Sequence, residues 1–105
     1  AEDYKFFGFE LSYILREFIT AVIKIDCLEF SNTEFKNIIK TQNLKNLQDL
    51  IYLSDSLDII KFAKYIPPKN LISNYLELSE KIINANIQSA ELPENNGQNQ
   101  QENKN

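Results

Sequence analysis

The stretch Asp58-Ile59-Ile60-Lys61-Phe62-Ala63-Lys64-Tyr65-Ile66-Pro67 ends an apolar helix with two lysines, and Pro68 follows at once. Cations in a last turn complement the exposed helix carbonyls. Proline at 67 disfavours helical dihedrals at Ile66, which fixes the stop. Upstream, Leu47, Leu50, Ile51, Leu57, Ile60 and Phe62 supply one apolar face, so a helix is expected from about Leu44 to Tyr65. Ser54-Asp55-Ser56 interrupts that run; Ser54 or Asp55 can act as a fresh N-cap, which allows a bend or a split there.

The same periodicity recurs on both sides. Phe7, Leu11, Ile14, Leu15, Phe18 and Val22 step by three and four, the stripe an amphipathic helix turns toward a core, while Glu10, Ser12, Arg16, Glu17 and Thr20 can face water. This first helix is expected over about Asp3 to Ile23. A connection through Cys27 leads to Ser31-Asn32-Thr33-Glu34, where the Ser31 hydroxyl and the Glu34 carboxylate can form a reciprocal capping box. Phe30 and Phe35 flank that box as a hydrophobic staple. The second helix fades near Thr41-Gln42-Asn43. A fourth runs from about Asn70 to Ala90 on Leu71, Ile72, Tyr75, Leu76, Leu78, Ile82, Ile83 and Ile87.

No run of period two persists, so the expected fold is all-α: a compact bundle of four helices, or five if the third is broken. Residues 1–90 form that bundle. From Glu91 the chain reads ELPENNGQNQQENKN, too poor in apolar groups to offset the entropy of ordering, so 91–105 is expected to be a disordered Asn/Gln-rich tail.

Composition narrows the chemistry. The chain has 105 residues with net charge −4, and its expected folded part is weakly acidic too, lacking the basic face that phosphate binding needs; no nucleic acid is expected. There is no histidine, and Cys27 is the single cysteine, so no base stands ready for its thiol and no internal disulfide can form. No catalytic, metal-binding or cofactor-binding residues are expected. The carboxylate pairs Asp55/Asp58 and Glu77/Glu80 share helix faces at three-residue spacing, a pattern that acid–base catalysis or a divalent cation can use, but one that a solvated helix surface explains more simply. A carboxylate hydrolase requires all four to line one cleft.

Tyr4, Phe6, Phe7 and Phe9 are denser in aromatics than one stripe can bury. Phe7 belongs to the core; Phe6 and Phe9 are either covered by later helices or form an exposed patch for a partner or a bilayer surface. Tyr4, Phe6, Phe9, Lys61 and Lys64 are therefore the candidate interaction residues, although charge compensation at a helix end accounts for the two lysines as well.

Three segments resemble the cytoplasmic helical region of membrane proteins of Bat (Bacteroides aerotolerance) operons, the BatD-like group. They are Glu10-Leu11-Ser12-Tyr13-Ile14-Leu15-Arg16-Glu17-Phe18-Ile19, Leu28-Glu29-Phe30-Ser31-Asn32-Thr33-Glu34 and Asp58-Ile59-Ile60-Lys61-Phe62-Ala63-Lys64. The family's versions look like Leu-Ser-x-Ile-Leu-Arg-x-Tyr-Ile, Leu-Glu-Met-Thr-Thr-x-Glu and Asp-Leu-Val-Lys-Phe-Ala-Lys, with matching order and spacing over about residues 5 to 88. Lys24 stands where the family often has glycine, and Ser31-Asn32 replaces a threonine pair.

The resemblance implies a non-enzymatic module of a membrane-anchored accessory protein at the cytoplasmic face of the inner membrane. Its implied partners are a von Willebrand A-domain protein or a MoxR-type AAA+ ATPase, its implied role envelope maintenance or stress tolerance. Arg16, Ser31, Glu34, Asp58, Phe62 and Pro67 then read as fold determinants, with Arg16 and Asp58 pairing with each other or with backbone. Methionine is absent, even at position 1, so a processed or excised chain is expected, and the resemblance implies a membrane tether upstream of it. The alternative is a secreted or surface bundle, at the cell surface or in the periplasm, that binds host or envelope components.

Overall fold

The computed structural model describes residues 4–62 and 65–91. Four helices follow one another: α1 (Tyr4–Ile23), α2 (Asn32–Ile39), α3 (Leu47–Phe62) and α4 (Lys69–Glu91). No strand occurs among the described residues. The fold is the expected all-α bundle. Helix α1 packs against α3 and α4, α3 against α4, and α2 against α3.

The core is built from Leu11, Leu15 and Ile19 of α1, Phe35 and Ile39 of α2, Leu50, Leu53, Leu57 and Ile60 of α3, and Tyr75 and Ile82 of α4. Cys27 joins it from the α1–α2 connection. The stripes are nearly those of the sequence, with a rotation. Ile14 and Leu76, expected inside, are exposed, whereas Ile19 and Leu53 are fully buried. Phe62 is corrected too: it was expected in the core and is 69% exposed. Leu57 and Ile60 already occupy the core-facing side of α3 there, and Phe62 falls on the outer side of the last turn.

Helix ends follow local chemistry. At Ser31 the capping box is present: Glu34 N–H donates to Ser31 Oγ (3.1 Å) and Ser31 N–H to Glu34 Oε1 (2.8 Å). Phe30 packs against the core that holds Phe35, as the staple requires. Pro67 is buried, and the Pro68 carbonyl accepts from the Leu71 and Ile72 N–H groups, so the two prolines also launch α4. Residues 63 and 64, including Lys64, lie outside the described residues, as does the expected tail beyond residue 91.

Ser54-Asp55-Ser56 does not split α3, which runs unbroken from Leu47 to Phe62. Their side chains work outward instead. Ser54 Oγ donates to Asn32 Oδ1 (2.6 Å), Asn32 Nδ2 to Asp55 Oδ1 (2.8 Å), and Lys36 Nζ lies 2.9 Å from the same carboxylate. Hydrogen bonding to Lys36, ahead of that to Asn32, holds the Asp55 carboxyl below its usual range against a partial cost of burial. Polar groups that look like a helix break are a clamp from α3 onto α2.

Two further contacts set the spacing. Gly8 is buried where α1 crosses α3; a Cβ there would lie 3.0 Å from Ile60 Cγ2 and 3.1 Å from Lys61 Cγ, so glycine permits the approach. At the other end Asn86 of α4 accepts from the Lys45 N–H (3.0 Å) and donates to the Lys45 carbonyl (3.0 Å), stitching α4 to the α2–α3 turn.

Helix α1 stops at Lys24, whose φ of 63° is left-handed and whose N–H donates to the Thr20 carbonyl (2.9 Å). A side chain with a Cβ pays about 1–2 kcal/mol there, partly offset by the greater entropy that glycine loses on folding. Lys24→Gly is therefore expected to stabilise the domain by about 0.5–1 kcal/mol, read as a higher urea midpoint at unchanged slope. A lower midpoint would show that the lysine side chain, which donates to the Ala21 carbonyl, matters more than its backbone.

Candidate functional site

Arg16, read from the helix pattern as able to face water and from the resemblance as a partly buried fold determinant, lies in the interior and is 7% exposed. Its Nη1 donates to the Cys27 carbonyl (3.1 Å) and to the Phe30 carbonyl, and its guanidinium lies 4.7 Å from the centre of the Phe35 ring. Burial pulls its pKa down, opposed first by Cys27 and then by Asp58. Of the two pairings expected for Arg16, backbone wins: Asp58 makes no ion pair with it and instead has Lys61 Nζ at 4.0 Å.

The connection that Arg16 grips is also tied to α1 and to itself. Cys27 N–H donates to Thr20 Oγ1 (2.9 Å), Leu28 N–H to Asp26 Oδ1 (3.0 Å), and Phe30 N–H to the Cys27 carbonyl (3.3 Å). The Cys27 thiol is fully buried and donates to the Ile25 carbonyl at 3.2 Å. Burial pushes its pKa up, more than the Thr20 hydroxyl and Arg16 draw it down. That is a packing thiol, not an activated one.

Beside Arg16, the seam between α1 and α3 carries Lys61. Its side chain is 11% exposed, and its ammonium lies 5.3 Å from the Phe9 ring centre and 5.4 Å from that of Phe62. The two rings meet edge to face at 5.6 Å and 85°. Ser12 Oγ is 3.3 Å from the ammonium. Burial, and after it the charge on Arg16, lowers the Lys61 pKa, with Asp58 opposing.

Grooves open on both sides of this lysine. One of about 400 Å3 is lined by Phe9, Tyr13, Leu28 and Phe30 with Arg16, Lys61, Glu10 and Ser12. The other, about 370 Å3, lies between Phe62 and the α2 cap and is lined again by Arg16, Phe30 and Lys61, with Asp58. Two cations and several aromatics are thus gathered in one surface region.

Of the candidate interaction residues, Phe9 and Lys61 meet here. Phe6 is exposed but lines neither groove. Tyr4 is partly buried against the core and lines neither groove. Phe62 moves the other way, from expected core residue to the wall of a groove. The four carboxylates of the hydrolase reading do not share a cleft: Asp58 faces the groove under the α2 cap, Asp55 is engaged by Lys36, Glu77 lines a separate groove with Tyr52 and Lys81, and Glu80 is exposed on α4 and lines neither groove. No cluster of potential metal ligands occurs among the described residues.

Sequence reading missed Ser12, Tyr13, Leu28 and Phe30 as parts of this region. A signal existed: Phe9, Tyr13 and Arg16 follow steps of four and three, a second stripe on α1 beside the core stripe. Comparison with protein-family models, with curated proteins and with solved structures finds no match to this chain.

Removing the guanidinium takes the side-chain donor from the Phe30 carbonyl and leaves the Cys27 carbonyl with the long contact from the Phe30 N–H (3.3 Å). Arg16→Met, which keeps most of the stem, is expected to cost about 2–4 kcal/mol in urea unfolding. A loss below about 0.5 kcal/mol would mean that the connection holds its shape without Arg16.

Proposed function

We propose that this chain is a non-enzymatic docking module that engages a protein partner through the α1–α3 seam around Phe9, Lys61 and Phe62. One observation carries the reading. Phe9 is 45% and Phe62 69% exposed, in mutual contact, with a cation against both rings and a groove on either side. Large exposed aromatics cost solvation in a free monomer, and aromatic anchors with a flanking cation are what protein interfaces enrich. The groups gathered there offer apolar faces and positive charge. They form no nucleophile and base pair.

The resemblance to Bat-operon proteins supplies candidate partners for the same surface: a von Willebrand A-domain protein or a MoxR-type AAA+ ATPase. In that setting the module works at the cytoplasmic face of the inner membrane, tethered by a segment outside this sequence, in envelope maintenance or stress tolerance. This placement rests on the three sequence segments alone. The described residues include no helix long and apolar enough to cross a membrane, so in this reading the tether lies elsewhere.

The test uses the purified chain with the A-domain and ATPase proteins encoded beside its gene, and the double variant Phe9→Ser with Phe62→Ser. Both positions are exposed, so the variant should keep its helical circular dichroism. Binding to at least one of the proteins, weakened about tenfold or more in the variant, is the expected result. Equal binding by both forms, or none by either, contradicts the proposal.

A further inference from the structure

Arg16 holds more hydrogen-bonding capacity than its fold role uses. A guanidinium has five N–H donors in a fixed fork. The two on Nη1 serve the Cys27 and Phe30 carbonyls. Nε–H and the Nη2 group have no acceptor among the described residues, although the residue is 7% exposed and lines both grooves. Donors left over in so buried a group are costly unless water or a ligand takes them.

The neighbouring charge points the same way. Among the described residues, Lys61 Nζ has, besides the Phe9 and Phe62 rings, a serine hydroxyl at 3.3 Å and a carboxylate at the 4.0 Å margin of contact. Both cations lie low in the region. The acids that line the same grooves, Glu10 and Asp58, are more exposed than the two cations. On a chain of net charge −4, each groove sets Arg16 and Lys61 against a single carboxylate, Glu10 in one and Asp58 in the other.

We propose that the Arg16–Lys61 floor is a carboxylate-binding site, which accepts an acidic side chain of a partner peptide while an adjacent aromatic side chain of that peptide rests on Phe9 and Phe62. The proposal rests on the docking reading above and names its chemistry. A carboxylate matches the Nε–Nη2 edge of a guanidinium in a two-pronged arrangement, and a neighbouring ammonium adds charge without demanding further geometry. The aromatic walls give an acidic–aromatic segment its second point of attachment. They also separate it from a purely acidic chain, which would gain only screened surface attraction.

The probe is a short synthetic peptide of glutamate and phenylalanine, titrated into the nitrogen-15-labelled full chain. Matched peptides carry glutamine or lysine in place of glutamate, and phosphatidylglycerol vesicles serve as a separate arm. The expected result is movement of the Arg16 Nε–H and Lys61 resonances with the glutamate peptide. The glutamine peptide, and the Lys61→Gln variant with the glutamate peptide, should each bind about tenfold more weakly. Arg16→Lys, checked for folding by its melting curve, should lose the two-pronged contact while keeping a charge.

Equal binding of the glutamine or lysine peptide overturns the carboxylate assignment. Response to the vesicles without response to any peptide overturns it also, in favour of a membrane surface. If the partner protein binds through Phe9 and Phe62 but the glutamate peptide does not, the docking reading stands and this chemistry falls.

Discussion

One buried cation organises this small domain. The α1–α2 connection runs without regular structure from Lys24 to Ser31, and its carbonyls at Cys27 and Phe30 face inward with no helix to pair them. Arg16 answers both from one nitrogen while its guanidinium rests on Phe35. Desolvating a guanidinium is expensive, and an isolated one would cost more than a bundle of this size can spare. Two charge-assisted hydrogen bonds and an aromatic face offset that expense, which ties the charge, the connection and α2 into one unit.

Once the connection is fixed, the other contacts have a place to act. Ser31 and Glu34 cap α2 where the connection delivers it, and the Asn32–Ser54–Asp55–Lys36 network holds α2 onto α3. Gly8 lets α1 lie close to the end of α3, which brings Phe9 to Phe62 and sets Lys61 between α1 and the Arg16 region. The exposed seam is thus a consequence of interior packing. Its shape depends on Arg16, yet its charge is also Arg16's, so one residue serves the fold and the surface.

Much of this was legible in the sequence because the responsible signals are local. The Ser31–Glu34 box, the two prolines and the apolar stripes each depend on neighbours within one helical turn. What was hidden depends on distant chain. Whether Ile14 or Ile19 faces the core is decided by where α3 and α4 sit, not by α1 alone. Ser54 and Asp55 look like helix breakers until Asn32 and Lys36 arrive from another helix to use their side chains. Phe62 looks apolar enough for the core, but Leu57 and Ile60 claim that side of α3. The helix pattern of α1 alone left Arg16 able to face water, because its acceptors lie eleven and fourteen positions away; only the resemblance pointed to a fold role for it. A lone Gly8 inside a helix was a readable mark of close approach, since glycine there sacrifices helix propensity.

The account therefore stands on the state of one guanidinium, which solution NMR can observe. Measurement of Arg16 side-chain signals should give Nη1 hydrogens distinct from those of Nη2, with scalar couplings across hydrogen bonds to the carbonyl carbons of Cys27 and Phe30. A single averaged Nη signal with no such couplings would describe a guanidinium turning freely in water, and the interior drawn around it would be wrong.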